Sequence, residues 1–220
     1  PEYMAVAFDI GKNFRREEYS FYKEGRISTP DELKVQMPIA RDILDKMGIK
    51  HFELAPYEAD DIVGTIVKMT EADKDFASVI ISSDKDLLQL ISFETEVKLL
   101  KQTGFIRYNY EKFVEDYGFE PIKMIDLKAL MGDQSDNIPG VKGIGEKTAT
   151  KLLQEYSSLE NLYDNIDNIK GKTKEKLEVD KEMAFISKKI ATIYIDVPLN
   201  IVLEDLKYEP NVTNELIELF

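Results

Sequence analysis

Short apolar runs alternate with helix-like segments through the first half of the sequence, and this alternation restricts the fold more than any other feature. Residues 4–8 and 78–82 each have the length and apolar content of a buried strand. Residues 51–54 are a shorter strand candidate, and residues 57–69 carry apolar side chains at helical spacing. After Tyr110 the pattern is mostly helical. We therefore predict an α/β fold with a mostly parallel central sheet, followed by a helical part.

Local signals predict the limits of several other elements. Thr29, Pro30 and Glu32 form a predicted capping box at the start of a helix that ends at Gly48, and Pro38 predicts a kink or a break within it. The remaining predictions are a hairpin over residues 97–108, helices over residues 86–91, 110–117, 121–131, 145–156, 159–165, 172–178 and 181–191, and an extended piece with a final helix after residue 193.

Composition excludes several kinds of chemistry. The 220 residues include no cysteine and one histidine, which excludes disulfides, thiolate metal sites, thiol nucleophiles and histidine pairs. No apolar run approaches the roughly 18 residues that a membrane span needs. The net charge of −13 taken alone argues against nucleic-acid binding. However, residues 12–26, 142–151 and 170–176 are locally basic, so the overall charge does not decide the matter.

Carboxylates recur where an α/β fold builds its binding sites, outside the carboxyl ends of the strands. Asp84 and Asp86 follow strand 78–82 in a segment predicted to be extended, in which both side chains would point the same way. Other acidic residues follow the first strand, open the helix after residue 57 or lie in the loop after residue 131. The eight candidate metal ligands are Asp9, Glu58, Asp60, Asp61, Asp84, Asp86, Asp133 and Asp136.

Eight like charges in one site require cations, because each carboxylate would otherwise force its neighbour to take up a proton. Oxygen ligands favour Mg²⁺ or Mn²⁺, and two such ions can activate a water and stabilise the leaving oxygen in phosphodiester cleavage. Alternatively, individual carboxylates cap helices or lie on the solvated surface. Spacing alone leaves both interpretations open.

A glycine-rich stretch predicts a phosphate-binding turn. Residues 143–145, Gly-Ile-Gly, lead directly into a helix whose first N–H groups suit a phosphate, and Lys147 and Lys151 follow on that helix. We interpret residues 138–156 as a helix-hairpin-helix that binds a nucleic-acid backbone without reading its sequence. The alternative is an ordinary turn between packed helices.

Aromatic and basic residues interleave between residues 12 and 26. Stacking by the aromatic rings and phosphate contacts by the cations would suit single-stranded nucleic acid. The alternative is an amphipathic helix whose aromatic rings lie in the core. The residues concerned are Phe14, Arg15, Arg16, Tyr19, Phe21, Tyr22, Lys23 and Arg26.

Together these blocks resemble the 5′-nuclease family, which includes flap endonucleases and the 5′→3′ exonuclease domain of bacterial DNA polymerase I. Within that family the blocks are most similar to the exonuclease domain. The resemblance covers essentially the whole chain. It is carried by Ala-Phe-Asp at 7–9, Phe-Arg at 14–15 with Tyr-Lys-Glu-Gly-Arg at 22–26, Tyr-Glu-Ala-Asp-Asp-Ile at 57–62, and Ser-Asp-Lys-Asp-Leu-Leu-Gln-Leu at 83–90. The block at 127–149, which includes Gly-Asp-Gln-Ser-Asp-Asn-Ile-Pro-Gly-Val at 132–141, and the tail at 195–198 also match.

The resemblance implies a PIN-like nuclease core over residues 1–109 with a helical arch at 12–47, and a helical DNA-binding subdomain over residues 110–220. The eight carboxylates match the family's metal site, and Lys23 and Arg26 match arch residues that position and polarise the scissile phosphate. The positions implied in DNA binding are Arg15, Lys23, Arg26, Gly140, Lys142, Gly143, Gly145, Lys147, Thr148 and Lys151. Loop carbonyls of the hairpin would bind a K⁺ ion.

The implied activity is that of a 5′→3′ exonuclease and flap endonuclease that uses two Mg²⁺ or Mn²⁺ ions. Its partners would be branched or nicked duplex DNA with a 5′ single-stranded flap, and RNA primers, in replication and repair. The resemblance also implies a monomer in the bacterial cytoplasm, associated with the nucleoid, with no membrane partner and with continuity to a polymerase domain.

Two departures leave alternatives open. The family begins with a further strand that ends in a metal-ligating Asp, which does not occur after Pro1, and the spacing from Asp9 to Phe14 is shorter than the usual pattern. If the protein starts at Pro1, the second hypothesis is a structure-selective DNA-binding module that hardly cleaves. A third hypothesis is a Mg²⁺-dependent phosphatase built on Asp84 and Asp86, which leaves the hairpin and arch residues unexplained.

Overall fold

The computed structural model describes residues 1–11 and 13–210. Residue 12, at the start of the predicted arch segment, and residues 211–220, which belong to the predicted final helix, lie outside the described residues. The chain divides into two compact units. The first contains residues 1–14, 25–69 and the segment from 194 onward, and the second contains residues 15–24 and 70–193.

The strands of the described residues form a two-stranded sheet in the first unit and a three-stranded sheet in the second. In the first unit, β1 pairs with β2 in parallel, with Val6 opposite His51. In the second unit, β3 pairs with β4 in parallel, and β4 pairs with β5 as an antiparallel hairpin. Apart from the hairpin the pairing is parallel, as predicted. The strands are β1 (Ala5–Ala7), β2 (Lys50–Phe52), β3 (Ser78–Ser82), β4 (Thr95–Lys101) and β5 (Gly104–Tyr108).

The helices of the second half follow the predicted limits to within a few residues. They are preceded by helices between residues 14 and 46 and by a helix of 13 residues that begins at Ala59. In chain order the helices are α1 (Phe14–Glu18), α2 (Asp31–Lys34), α3 (Gln36–Lys46), α4 (Ala59–Glu71), α5 (Tyr110–Tyr117), α6 (Met124–Met131), α7 (Glu146–Tyr156), α8 (Leu159–Asp164), α9 (Gly171–Val179) and α10 (Lys181–Ala191).

The predicted cap at Thr29 is wrong. Pro30 is the cap residue of α2, its backbone is extended, and no side chain caps the helix. The carbonyl of Pro30 instead accepts the N–H groups of Leu33 and Lys34, each at 3.0 Å. The predicted break does occur, but at Val35, between α2 and α3. Pro38 falls in the first turn of α3, where its missing N–H costs no helical hydrogen bond, so it does not kink the helix.

In the first unit, the segment after residue 194 lies beside β1 and α4. The Met4 N–H donates to the carbonyl of Leu206 at 2.9 Å, and the Val197 N–H donates to the hydroxyl of Thr65 at 3.0 Å. The latter bond connects the segment to α4. This second contact fixes α4, which begins at Ala59 and carries Asp60 and Asp61 in its first turn.

In the second unit, α6 is the central helix. Every residue from Met124 to Leu130 is buried, and α6 packs against α7, α8 and α10. A helix enclosed on all sides by other elements has little freedom to move. It therefore provides a rigid base for the loop that follows it, which carries Asp133 and Asp136.

Within residues 1–11 and 13–210, none of the helices combines the length and the apolar character that crossing a membrane requires.

Candidate functional site

Asp84 and Asp86 lie in the loop after β3. Lys85 has helical dihedral angles and a 3₁₀ turn follows at Asp86–Leu90, so the prediction that this segment is extended is wrong. The reason is local: the Asp84 carboxylate accepts the N–H of Asp86 at 2.8 Å, which bends the chain into the turn. Leu87 and Leu88 are buried and anchor the turn. Asp84 remains exposed in this loop.

Asp133 is held in a fixed conformation by its neighbours. Its backbone exchanges two hydrogen bonds with Ile138, each of 2.8 Å. One carboxylate oxygen accepts the N–H and the hydroxyl of Ser135, at 2.8 and 2.6 Å. The other accepts the ammonium of Lys128 at 2.6 Å. Burial alone would raise the pKa of Asp133, but the hydrogen bonds from Lys128 and Ser135 outweigh it and lower the pKa to about 2.

Lys128 connects two of the predicted ligands, and the sequence analysis did not identify it. Its ammonium contacts Asp86 as well as Asp133, and its side chain is 8% exposed. A lysine in the mostly apolar helix α6 was the available signal, because a buried ammonium requires anionic partners. The sequence could not reveal which carboxylates those partners are.

A cleft of about 650 Å³ opens at this group in the second unit. Its lining comes from the loop after β3, from α6, from the loop after α6, and from the start of α7. The carboxylates of Asp84, Asp86 and Asp133 therefore border the same space as Gly145 and Glu146, which begin the helix of the predicted hairpin.

Asp136 is buried and joins the loop after α6 to residues 19–24. Its carboxylate lies 3.4 Å from the Tyr22 hydroxyl and 3.8 Å from the Lys23 ammonium, and its carbonyl accepts the Lys23 N–H at 2.9 Å. Lys23 has a φ of 55°, in the left-handed region, so its backbone conformation depends on this support. Lys23 and Asp136 are thus brought together.

The other predicted basic residues of the arch have different surroundings. Arg15 is 4% exposed, and its guanidinium donates to the carbonyls of Ile190 at 3.0 Å and Thr192 at 2.7 Å. This places Arg15 at the end of α10, and its predicted contact with DNA stays a prediction. Arg26 is exposed and belongs to the first unit.

The acidic residues of the first unit surround the start of α4. Asp9 accepts the N–H of Ala59 at 2.7 Å, a favourable place for an anion at a helix N-terminus. Asp61 is fully buried, and its two oxygens accept the N–H groups of Glu58 at 3.0 Å and Tyr194 at 2.8 Å. Glu58 is also buried, and Asp60 is partly exposed. Asp61 therefore stabilises the helix start and the segment after residue 194.

In the parts of the chain that the structure describes, no group of three or more His, Cys, Asp or Glu side chains is arranged to hold a metal ion. In the second unit, the ammonium of Lys128 lies between the carboxylates of Asp86 and Asp133 and balances their charge. The assignment of all eight carboxylates to one metal site stays a prediction.

The predicted hairpin residues lie at the start of α7. Val141 and Ile144 are buried and anchor the loop, whereas the other loop residues and the lysines of α7 face outward. Gly140 is buried with a φ of 61°, and Thr148 is half-buried. The exposed positions are Lys142, Gly143, Gly145, Lys147 and Lys151.

Lys128→Met should raise the pKa of Asp133 from about 2 toward its ordinary value. The substitution removes a cation that lowers this pKa, whereas the burial that raises it remains. A pKa lowered by folding stabilises the protein above the unfolded-state pKa, and this contribution is lost as the pH falls through about 2. Carbon NMR of the carboxyl group over an acid titration measures the shift. Lys85→Met, which removes an exposed lysine of the adjacent loop, is the control. An unchanged pKa would assign the shift to Ser135 alone.

Comparison with known proteins gives matches over both parts of the chain. The family described as 5′-3′ exonuclease, N-terminal resolvase-like domain, matches residues 1–118, and the family described as 5′-3′ exonuclease, C-terminal SAM fold, matches residues 119–214. DNA polymerase I of Streptococcus pneumoniae (strain ATCC BAA-255 / R6) is 52% identical over 219 residues, covering 97% of this chain and 25% of that protein. DNA polymerase I of Lactococcus lactis subsp. lactis (strain IL1403) is 47% identical, covering 100% of this chain and 26% of that protein.

The chain thus spans about a quarter of the length of the curated relatives it matches. Among solved structures, T5 5′-exonuclease with bound zinc is 27% identical, with a TM-score of 0.72, and the match covers 86% of this chain and 74% of that one. The shared fold is a resolvase-like α/β part followed by a SAM-like helical part.

Proposed function

This chain belongs to the 5′-3′ exonuclease family, and from that premise we propose that it is a metal-dependent nuclease that hydrolyses phosphodiester bonds at or near a 5′ end of DNA. The observation that carries the proposal is the cleft of the second unit, which Asp84, Asp86 and Asp133 border together. A cleft lined by several carboxylates and adjoining a helix N-terminus suits both a cation and a phosphate.

The donor atoms of this cleft are of the kind that divalent metal ions bind. The donors are carboxylate oxygens, which Mg²⁺ and Mn²⁺ prefer, and the Lys128 ammonium between two of them supports a site that favours positive charge. We assign the second-unit ligands to Asp84, Asp86, Asp133 and Asp136, and those of the first unit to Asp9, Glu58, Asp60 and Asp61. Two divalent ions would supply activation of a water and stabilisation of the leaving oxygen.

The chain's own residues orient these groups. The Asp84 carboxylate is directed by its hydrogen bond to the N–H of Asp86, and Asp133 is held ionised by Ser135 and Lys128. We assign Lys23 and Arg26 to the scissile phosphate, where positive charge stabilises the transition state more than the ground state. Asp136 positions Lys23 for this role through its backbone and side-chain contacts.

We assign the hairpin to the duplex backbone. Lys142, Lys147 and Lys151 are exposed in the loop and on α7, a helix of 11 residues. Cations and helix N-terminal N–H groups bind phosphates of any sequence. This local concentration of basic residues explains how a chain with a net charge of −13 can bind DNA.

The substrate, the metal ions, the oligomeric state and the location are inferred from membership of the family. We propose branched or nicked duplex DNA with a 5′ flap, and RNA primers, as substrates, and Mg²⁺ or Mn²⁺ as the ions. The same proposal includes a monomeric state, a location in the bacterial cytoplasm at the nucleoid, and continuity with a polymerase domain. The similarity to DNA polymerase I supports the continuity with a polymerase domain.

We expect the chain to release a short 5′ product from an end-labelled 5′-flap duplex when Mg²⁺ or Mn²⁺ is added. The rate should rise with metal concentration and fall to background in EDTA, because the carboxylates require a cation to approach the phosphate. Denaturing gel electrophoresis of the labelled strand measures cleavage, and gel shift in EDTA measures binding.

A blunt duplex without a flap and a small phosphoester are the control substrates. Binding of the flap duplex without any metal-dependent product would contradict the nuclease proposal and favour a DNA-binding module. Hydrolysis of the small phosphoester alone would instead favour a phosphatase.

A further inference from the structure

Two side chains from the end of α9 hold the backbone of the hairpin loop. The N–H of Lys142 donates to the Asp180 carboxylate at 2.7 Å. The carbonyl of the next residue, Gly143, accepts the ammonium of Lys176 at 2.8 Å. Lys176 and Asp180 are four residues apart, so they lie on the same side of the helix end. One helix end therefore binds both a donor and an acceptor of two consecutive loop residues.

The backbone conformation of the loop depends on this close approach. Gly143 has a φ of 78°, in the left-handed region that favours glycine. A Cβ at this position would lie 2.7 Å from the Lys176 Nζ and 3.1 Å from its Cε. The lysine therefore lies directly against the loop backbone, and the glycine makes room for it. Val141 and Ile144, which flank Lys142 and Gly143 in the sequence, are buried and anchor the loop.

The contact bears on the K⁺ ion that the resemblance implies. Potassium would be bound by loop carbonyls, and the carbonyl of Gly143 already accepts an ammonium with the same charge as K⁺. An ammonium and K⁺ both bind carbonyl oxygens and neutralise their negative ends. The fixed lysine thus supplies what a diffusible ion would supply, without loss of translational freedom on each binding event.

We propose that Lys176 is the resident cation of the hairpin loop, with Asp180 as its partner, and that the pair positions the loop for the duplex backbone without requiring K⁺. Lys176 is a positioning residue: its ammonium is directed at the protein's own carbonyl. The inference rests on the proposed function for the binding of DNA, but the conformation of the loop can be tested without DNA.

Lys176→Met tests the proposal against Lys172→Met, which removes an exposed lysine one turn earlier on α9 and changes the net charge equally. Duplex binding is measured by fluorescence anisotropy in EDTA, with KCl, NaCl or choline chloride at one ionic strength. We expect wild type and Lys172→Met to bind equally in the three salts. Lys176→Met should bind about tenfold more weakly in NaCl and choline chloride, because loss of one charged hydrogen bond is of that size, and should recover in KCl.

Hydrogen exchange without DNA provides the independent measurement. The Lys142 N–H should exchange about tenfold faster in Lys176→Met than in Lys172→Met, because the loop loses one of its two contacts with α9. A wild-type protein that itself needs K⁺ for binding would overturn the proposal, as would equal exchange rates in the two variants. Faster exchange in Lys176→Met, with no duplex binding by any variant, would support the loop assignment and contradict only the DNA-binding function.

Discussion

Asp84→Asn should abolish metal-dependent cleavage of a 5′-flap duplex while leaving duplex binding intact or tighter. The asparagine keeps a side-chain oxygen that can accept the N–H of Asp86, now at 2.8 Å from the Asp84 carboxylate, so the turn after β3 is preserved. The substitution removes one negative charge at the mouth of the cleft. Loss of a metal-ligating charge should lower the cleavage rate by at least about 100-fold, whereas the DNA phosphates meet less repulsion.

Cleavage rate and dissociation constant are measured on the same flap substrate, the latter in EDTA. Asp75→Asn is the matched control, because it removes an exposed carboxylate of the same unit that does not border the cleft. Asp75→Asn should cleave at the wild-type rate. Parallel loss of binding and cleavage in Asp84→Asn would count against the assignment of Asp84 as a metal ligand, and so would undiminished cleavage.

Gly140→Ala should destabilise the fold severely. Gly140 has a φ of 61°, and a Cβ there would lie 2.2 Å from the backbone N of Gly132 and 2.7 Å from its Cα. Backbone atoms at the end of buried α6 cannot move aside as a flexible side chain can. The Gly140 N–H also donates to the Ser187 hydroxyl at 3.0 Å, so a shift of the loop breaks a buried hydrogen bond. We expect a loss of about 3–5 kcal/mol in the free energy of unfolding.

Gly171→Ala separates the steric clash from backbone strain. Gly171 also has a positive φ, of 65°, but nothing lies within 4 Å of the position of its Cβ. Its substitution should cost about 1–2 kcal/mol, the ordinary penalty for a side chain in the left-handed region. Urea unfolding followed by circular dichroism measures both variants. Equal losses would show that the contact between Gly140 and Gly132 contributes nothing beyond strain.

Several elements could be predicted from the sequence because their signals are local. The helix over 110–117 has the predicted limits, since Asn109 accepts the Lys112 N–H at 2.9 Å at one end and Gly118 adopts a φ of 75° at the other. The hairpin of β4 and β5 follows from alternating apolar residues around a glycine turn. Local reasoning was wrong at Thr29, where Pro30 takes the cap position.

The sequence predicted the acidic residues of the candidate site but not which basic residues contact them. Acidic residues after strands and at helix starts follow a pattern that spacing reveals, and several of them border one cleft or the start of α4. The cations that organise these regions were missed or given other partners. Lys128 contacts Asp86 from 42 positions away, and Lys176 contacts Gly143 from 33 positions away.

The sequence by itself thus determined the order of strands and helices, the family blocks and the set of acidic residues, because each depends on neighbours a few positions apart. Only the tertiary structure decided which partner each cation has. Arg15 donates to Ile190, 175 positions away, because the packing of α10 brings an unsatisfied helix-end carbonyl to it. A side chain with a charged end and several rotatable bonds can reach many partners, and burial among particular backbone groups selects one of them.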